Sequence, residues 1–165
     1  MILPKYAPDA QFATLVGAEI GNGNFRNAYD VIGHPGWVIK VSSSNHQANW
    51  VEHLTYEALI GERMAEIFGA VDSVSETGKY LIMEHLRDLN AVELPQRPPV
   101  PTWFTDRKSS AFGATGGGVI KIRDYGEIKL GMVLPNAQCE PLPSQEAVDG
   151  MKGLMAMLRG ESDGE

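Results

Sequence analysis

Gly21-Asn22-Gly23-Asn24-Phe25 lies between two apolar stretches, Phe12 to Ile20 before it and Ala28 to Ile32 after it. Glycine and asparagine accept the backbone angles of tight turns, so the flanking stretches read as paired antiparallel strands. A second break, His34-Pro35-Gly36, leads into Trp37 to Val41, a third short strand. Ser42 to Gln47 is a polar connection able to cap a helix. From about Ala48 to Phe68 the residues Val51, Leu54, Ala58, Leu59, Met64, Ala65 and Phe68 recur near helical spacing, with Glu52, Glu57, Glu62 and Glu66 between them. This pattern predicts one helix, with Gly61 as the place where it breaks. Ala70 to Val74 and Lys79 to Met83, separated by Ser75-Glu76-Thr77-Gly78, predict a β-hairpin whose second strand is almost continuously apolar and therefore buried on both faces. Together these segments make an α+β fold, a five-stranded antiparallel sheet with one main helix.

A chain of 165 residues suits one domain, or one with a small appendage. Hydrophobic residues at 43% allow a sizeable core, while 18 glycines and 10 prolines call for many turns. With 14 basic against 21 acidic residues the chain has the wrong sign of charge to hold a phosphate backbone, so no nucleic-acid partner is expected. Cys139 alone cannot form an internal disulfide, and His34, His46, His53 and His85 lack the paired spacing of a zinc site. The start, Met1-Ile2-Leu3-Pro4-Lys5-Tyr6, lacks the basic-then-apolar order of a signal peptide, and no apolar run approaches the ~20 residues that span a bilayer. A cytoplasmic protein without a membrane partner is the expectation.

After Leu94 the composition changes to Pro95-Gln96-Arg97-Pro98-Pro99-Val100-Pro101, which can be neither helix interior nor central strand because proline lacks the donor both require. This predicts a hinge, with residues 1–94 above it and 95–165 forming a reduced second portion; a polyproline ligand is the less frequent use of such a segment. The second portion contains a glycine turn at Gly116 to Gly118, an apolar strand from Val119 to Ile122 and a final helix near Ser144 to Arg159, followed by an acidic tail. That helix carries the apolar stripe Val148, Met151, Leu154, Met155 and Leu158. Such a stripe usually packs on its own core and sometimes grips a partner.

The glycine hairpin, the strand Val38-Ile39-Lys40 and a glutamate-bearing helix follow one another in the order of a protein-kinase upper lobe, which they resemble. The resemblance implies that Gly21, Gly23 and Phe25 of the hairpin cover nucleotide phosphates and that Lys40 contacts them while pairing with a helix glutamate. Glu57, 17 positions after Lys40, matches the usual separation better than Glu52 at 12 or Glu62 at 22. Tyr80 to Met83 with Glu84-His85-Leu86 resembles the fifth strand, gatekeeper and hinge, which would put Met83, Glu84 and Leu86 at the adenine. Asp106, in Thr105-Asp106-Arg107-Lys108-Ser109-Ser110-Ala111, is similar to the catalytic aspartate segment of the early serine/threonine kinase of short-tailed bacteriophages. Asp124, in Ile120-Lys121-Ile122-Arg123-Asp124-Tyr125-Gly126, resembles the metal-binding aspartate. His85-Leu86-Arg87-Asp88 looks similar to the catalytic motif but follows the fifth strand at once and has Glu93 where asparagine is needed.

Under this resemblance the cofactors are ATP and magnesium, with Asp106, Lys40 and Glu57 catalytic, and the setting is a bacterial host cytoplasm. The departures bear on activity. Arg26 replaces the third glycine of the phosphate loop, and Ala111 replaces an asparagine that would ligate a second magnesium ion. Only 23 positions separate Met83 from Asp106, and 39 residues follow Gly126, which predicts a reduced lower lobe. The expected function is therefore a degenerate kinase with weak or no phosphotransfer that works by binding a host protein; an active serine/threonine protein kinase is the alternative.

Overall fold

Alternation along Trp37-Val38-Ile39-Lys40-Val41 sorts the side chains of the central strand onto two faces, and both faces are covered. The computed structural model describes residues 1–43 and 47–143. Strands β1 (Val16–Asn22), β2 (Arg26–Val31), β3 (Trp37–Ser42), β4 (Val71–Val74) and β5 (Tyr80–Glu84) form one antiparallel sheet in the order β1-β2-β3-β5-β4. Ala28 pairs with Lys40 and Lys40 with Leu81, so Lys40 sits at mid-sheet. The fold is α+β with one main helix, α2 (Gln47–Leu59), as the periodicity predicts.

On one face Ile39, Tyr80, Ile82 and Val31 pack beneath the N-terminal segment, whose Phe12 is fully buried and stacks on Tyr80. The expected first strand therefore starts late: Phe12 belongs to a short helix, α1 (Asp9–Ala13), which Pro8 precedes and Asp9 opens with a negative charge in its first turn. The same segment donates Tyr6 N–H to the Val74 carbonyl, covering the edge strand β4.

The opposite face carries Val38, Leu81 and Met83 under α2. The helix ends at Leu59, earlier than Phe68, because Gly61 takes φ 89° and turns the chain into a 3₁₀ segment, Arg63–Ile67. Its first turn docks on the β4–β5 turn, where Asn49 donates to the carbonyls of Gly78 and Lys79 and Trp50 donates to that of Thr77.

Residues beyond Leu94 join this second core. The proline-rich stretch makes a 3₁₀ turn, Leu94–Gln96, and a two-residue strand β6 (Val100–Pro101) that pairs with β9 (Cys139–Glu140). Between them, β7 (Phe112–Ala114) and β8 (Ile120–Ile122) form the hairpin expected around Gly116 to Gly118. Phe68 stacks on Trp103 at 5.7 Å and meets Phe104 and Tyr125 edge-on, so aromatic rings from both sides of the proline stretch interlock. The polar connection at 44–46 and the final helix expected from Ser144 to Arg159 lie outside the described residues. Among the described residues, no helix is long and apolar enough to cross a membrane.

Candidate functional site

Lys40 and Arg26 share one sheet face with Ala28, and α2 crosses that face with Glu52 directed at both cations. The Lys40 ammonium lies 2.9 Å from each Glu52 carboxylate oxygen and donates to the Arg123 carbonyl at 2.8 Å. An ammonium has three donors, so internal acceptors occupy all of them. Arg26 places Nη1 at 2.9 Å from Glu52 Oε2 and Nη2 at 3.0 Å from Oε1, and the same Nη2 reaches Asp124 Oδ1 at 2.7 Å. Tyr125 N–H completes the set at 3.0 Å from Glu52 Oε1.

Glu52 is fully buried. Burial alone would raise its carboxyl, but Arg26 and then Lys40 outweigh that and hold it at about 2. Burial draws the Lys40 ammonium below its ordinary value against the attraction of Glu52, and Arg26 repels it further. A buried carboxylate shared between two cations makes this a network in which every member depends on the others.

The expected glutamate, Glu57, is not the partner of Lys40. It bonds Lys5 at 2.6 Å. At 100° per residue, five positions carry Glu57 about 140° around the helix from Glu52, so the two cannot face the same strand. The helical phase contains the signal that the chain offset misses. Glu52, Thr55 and Leu59 lie at i, i+3 and i+7 and are all buried, whereas Glu57 is off that stripe.

In front of this network lies a cavity of about 540 Å³ whose walls include Gly21 and Gly23 of the β1–β2 hairpin, Lys40, Met83, Glu84, Leu86 and Asp124. These seven are expected site residues, and the fold brings them together. Gly23 is needed for a local reason: a Cβ there would lie 2.8 Å from the Arg26 carbonyl, which accepts its N–H across the turn. Phe25 is 64% exposed and is not part of the wall. Asp106 is also outside it; its carboxylate pairs with Lys108 at 2.8 Å, and this contact raises the Lys108 ammonium above its ordinary value. Ala111, at the position of the expected asparagine, is fully buried.

Among the other residues of the cavity wall, Arg123, Asp88 and Ser110 are not expected site residues. Arg123 donates to the Ser110 and Leu86 carbonyls and to Asp88 Oδ1 at 2.6 Å, tying the segment that follows β5 to Ser110 and β8. Asp88, in the motif set aside by sequence, lines the wall as the partner of Arg123, and Ser110 lines it too. Glu84 is held by Lys121 at 2.8 Å. Below the network, Tyr125 is buried with its hydroxyl donating to the Gly69 carbonyl, and burial raises that hydroxyl well above its usual range. Gly126 packs so closely on Ala48 that a Cβ would meet Ala48 Cβ at 2.9 Å.

Neither protein-family models nor curated proteins give a match to the chain. The chemistry available is thus read from the geometry: a glycine hairpin and cations around a cavity of small-molecule size, with its carboxylates each paired to a cation.

Proposed function

We propose that the chain is a nucleotide-binding protein with a kinase-like upper lobe, in which phosphotransfer is weak or absent and the output is binding to another protein. One observation carries the reading. Lys40 is pinned by Glu52 at the back of a cavity roofed by the Gly21–Gly23 hairpin and walled by Met83, Glu84 and Leu86. Glycines admit phosphate oxygens close to backbone amides, and a strand lysine adds charge behind them. The cavity of about 540 Å³ falls within the ordinary range for cofactor sites.

Weak transfer follows from the same geometry. Lys40 must give up an internal acceptor, such as the Arg123 carbonyl, before it can touch phosphate. Asp106, the candidate for orienting a hydroxyl, is closed by Lys108 and stands outside the cavity wall. Phosphoryl transfer depends on positioning and charge neutralisation together, so both features slow it. The partner implied by the phage-kinase resemblance is a bacterial host protein.

The test is calorimetric titration with ATP beside transfer of labelled phosphate, for the wild type, Lys40→Ala and Asp106→Asn. We expect ATP binding that Lys40→Ala weakens roughly tenfold or more, equivalent to about 1.4 kcal/mol, with little transfer by any form. Absence of ATP binding by the folded wild type would refute the nucleotide reading. Rapid turnover abolished by Asp106→Asn would replace it with the active-kinase alternative.

A further inference from the structure

Arg26 occupies a place that a phosphate loop ordinarily leaves to glycine. It opens β2 directly after the turn, lines the cavity, and has a side chain only 12% exposed. Its guanidinium is anchored on one side and movable on the other. Both Nη atoms hold the fully buried Glu52, while Nη2 also holds Asp124, whose side chain is 40% exposed. The buried contact is the durable one; the exposed contact is screened and exchangeable.

Magnesium does not fit the residues present in the manner the kinase resemblance implies. Asp124 Oδ1 is engaged by Arg26, and the second ligand position is the buried methyl of Ala111. The other carboxylates on the wall are engaged too, Glu84 by Lys121 and Asp88 by Arg123. Magnesium in a nucleotide site relies on one or two carboxylates beside the phosphates, and here each wall carboxylate already gives one oxygen to a cation, which competes with the metal for it.

We infer that Arg26 stands in place of the divalent metal, and that the cavity takes a nucleoside triphosphate without one. This rests on the nucleotide reading of the cavity. The triphosphate exchanges for Asp124 on the outer edge of the guanidinium, while Glu52 keeps the arginine in position. Guanidinium donates to phosphate oxygens as it does to carboxylate oxygens, so the single Nη2 contact on Asp124 Oδ1 can pass to a phosphate oxygen. Asp124 then acts as a competitor for the nucleotide site instead of a metal ligand.

The experiment is calorimetric titration of the full chain with ATP, once with excess EDTA and once with excess magnesium. We expect affinities within roughly threefold of each other, under 1 kcal/mol. Asp124→Ala, which removes the competing carboxylate, should tighten metal-free binding by roughly three- to tenfold. Arg26→Gly, which restores the third glycine, should lose metal-free binding. If that variant fails to fold, Asp124→Ala titrated with excess magnesium decides the matter alone, because there a metal-ligand role predicts weaker binding where the inference predicts binding at least as tight as the wild type's. Binding seen only with magnesium overturns this inference and leaves the nucleotide reading standing. No binding in either buffer overturns both.

Discussion

Glu52 and Glu57 are five residues apart on one helix and have very unequal consequences if neutralised. Glu52 balances two buried cations, so Glu52→Gln leaves Lys40 without its carboxylate and Arg26 with only the half-exposed Asp124. Removing one partner from a buried charge network costs roughly 3–5 kcal/mol. Glu57 pairs with Lys5 where both side chains are 34% exposed, and such a pair contributes about 1 kcal/mol or less. We expect urea unfolding midpoints to fall sharply for Glu52→Gln and scarcely for Glu57→Gln. Equal shifts in both would mean that Lys40 does not depend on Glu52. Chain offset cannot distinguish these two residues, because it counts positions and ignores the 100° rotation that each one adds. The buried stripe shared with Leu59 does distinguish them.

At the level of elements, turns show how much of the fold is written locally. Gly78 combines φ 78° with the Trp50 indole lying where a Cβ would go, so Gly78→Ala must both strain the backbone and push α2 off the β4–β5 turn. We expect a loss of roughly 2 kcal/mol or more in thermal or urea unfolding. Gly116, in the β7–β8 turn, has open space around it and no positive φ, so Gly116→Ala should change stability by less than about 0.5 kcal/mol. The five strands of the main sheet are legible in sequence because short runs with apolar residues are separated by glycine, proline or asparagine breaks, as at Gly21 to Asn24 and His34 to Gly36, and by the turn at Ser75 to Gly78. Helix α1 is less so, because Phe12 is apolar in either conformation and only Pro8-Asp9 signals a helix start. The pairing of Val100–Pro101 with Cys139–Glu140 joins residues about forty positions apart, with no periodic pattern in either segment to announce it. The site divides in the same way. Gly21, Gly23 and Lys40 carry local signatures, whereas the contact of Arg123 with Asp88 exists only once the segment after β5 has met the end of β8.

For the whole molecule, the charge network and the aromatic core meet at Tyr125, whose N–H serves Glu52 while its ring packs on Phe68. Acid and alkali should therefore attack the same place from opposite sides. Glu52 titrates at about 2 in the folded chain against 4.5 when free, so its contribution is full above about 4.5 and disappears as pH falls toward 2. That difference corresponds to roughly 3 kcal/mol. Glu93, held at about 2 by Arg87, titrates in the same window, so the informative quantity is the part of the acid slope that Glu52→Gln removes. The Tyr125 hydroxyl is raised by burial, so above pH 10 the unfolded tyrosine ionises first and the folded state loses ground. Lys40 works against this loss. Its lowered ammonium makes the unfolded chain bind more protons below pH 10.5, so its burial penalty fades as pH rises toward that value. Tyr125→Phe keeps the ring against Phe68 and gives up one hydrogen bond to Gly69, for about 1 kcal/mol at neutral pH. We expect its stability curve to lie below that of the wild type at pH 7 and to converge with it above pH 10, measured by urea unfolding across the pH range. Parallel curves would show that the Tyr125 hydroxyl is not what limits the fold in alkali.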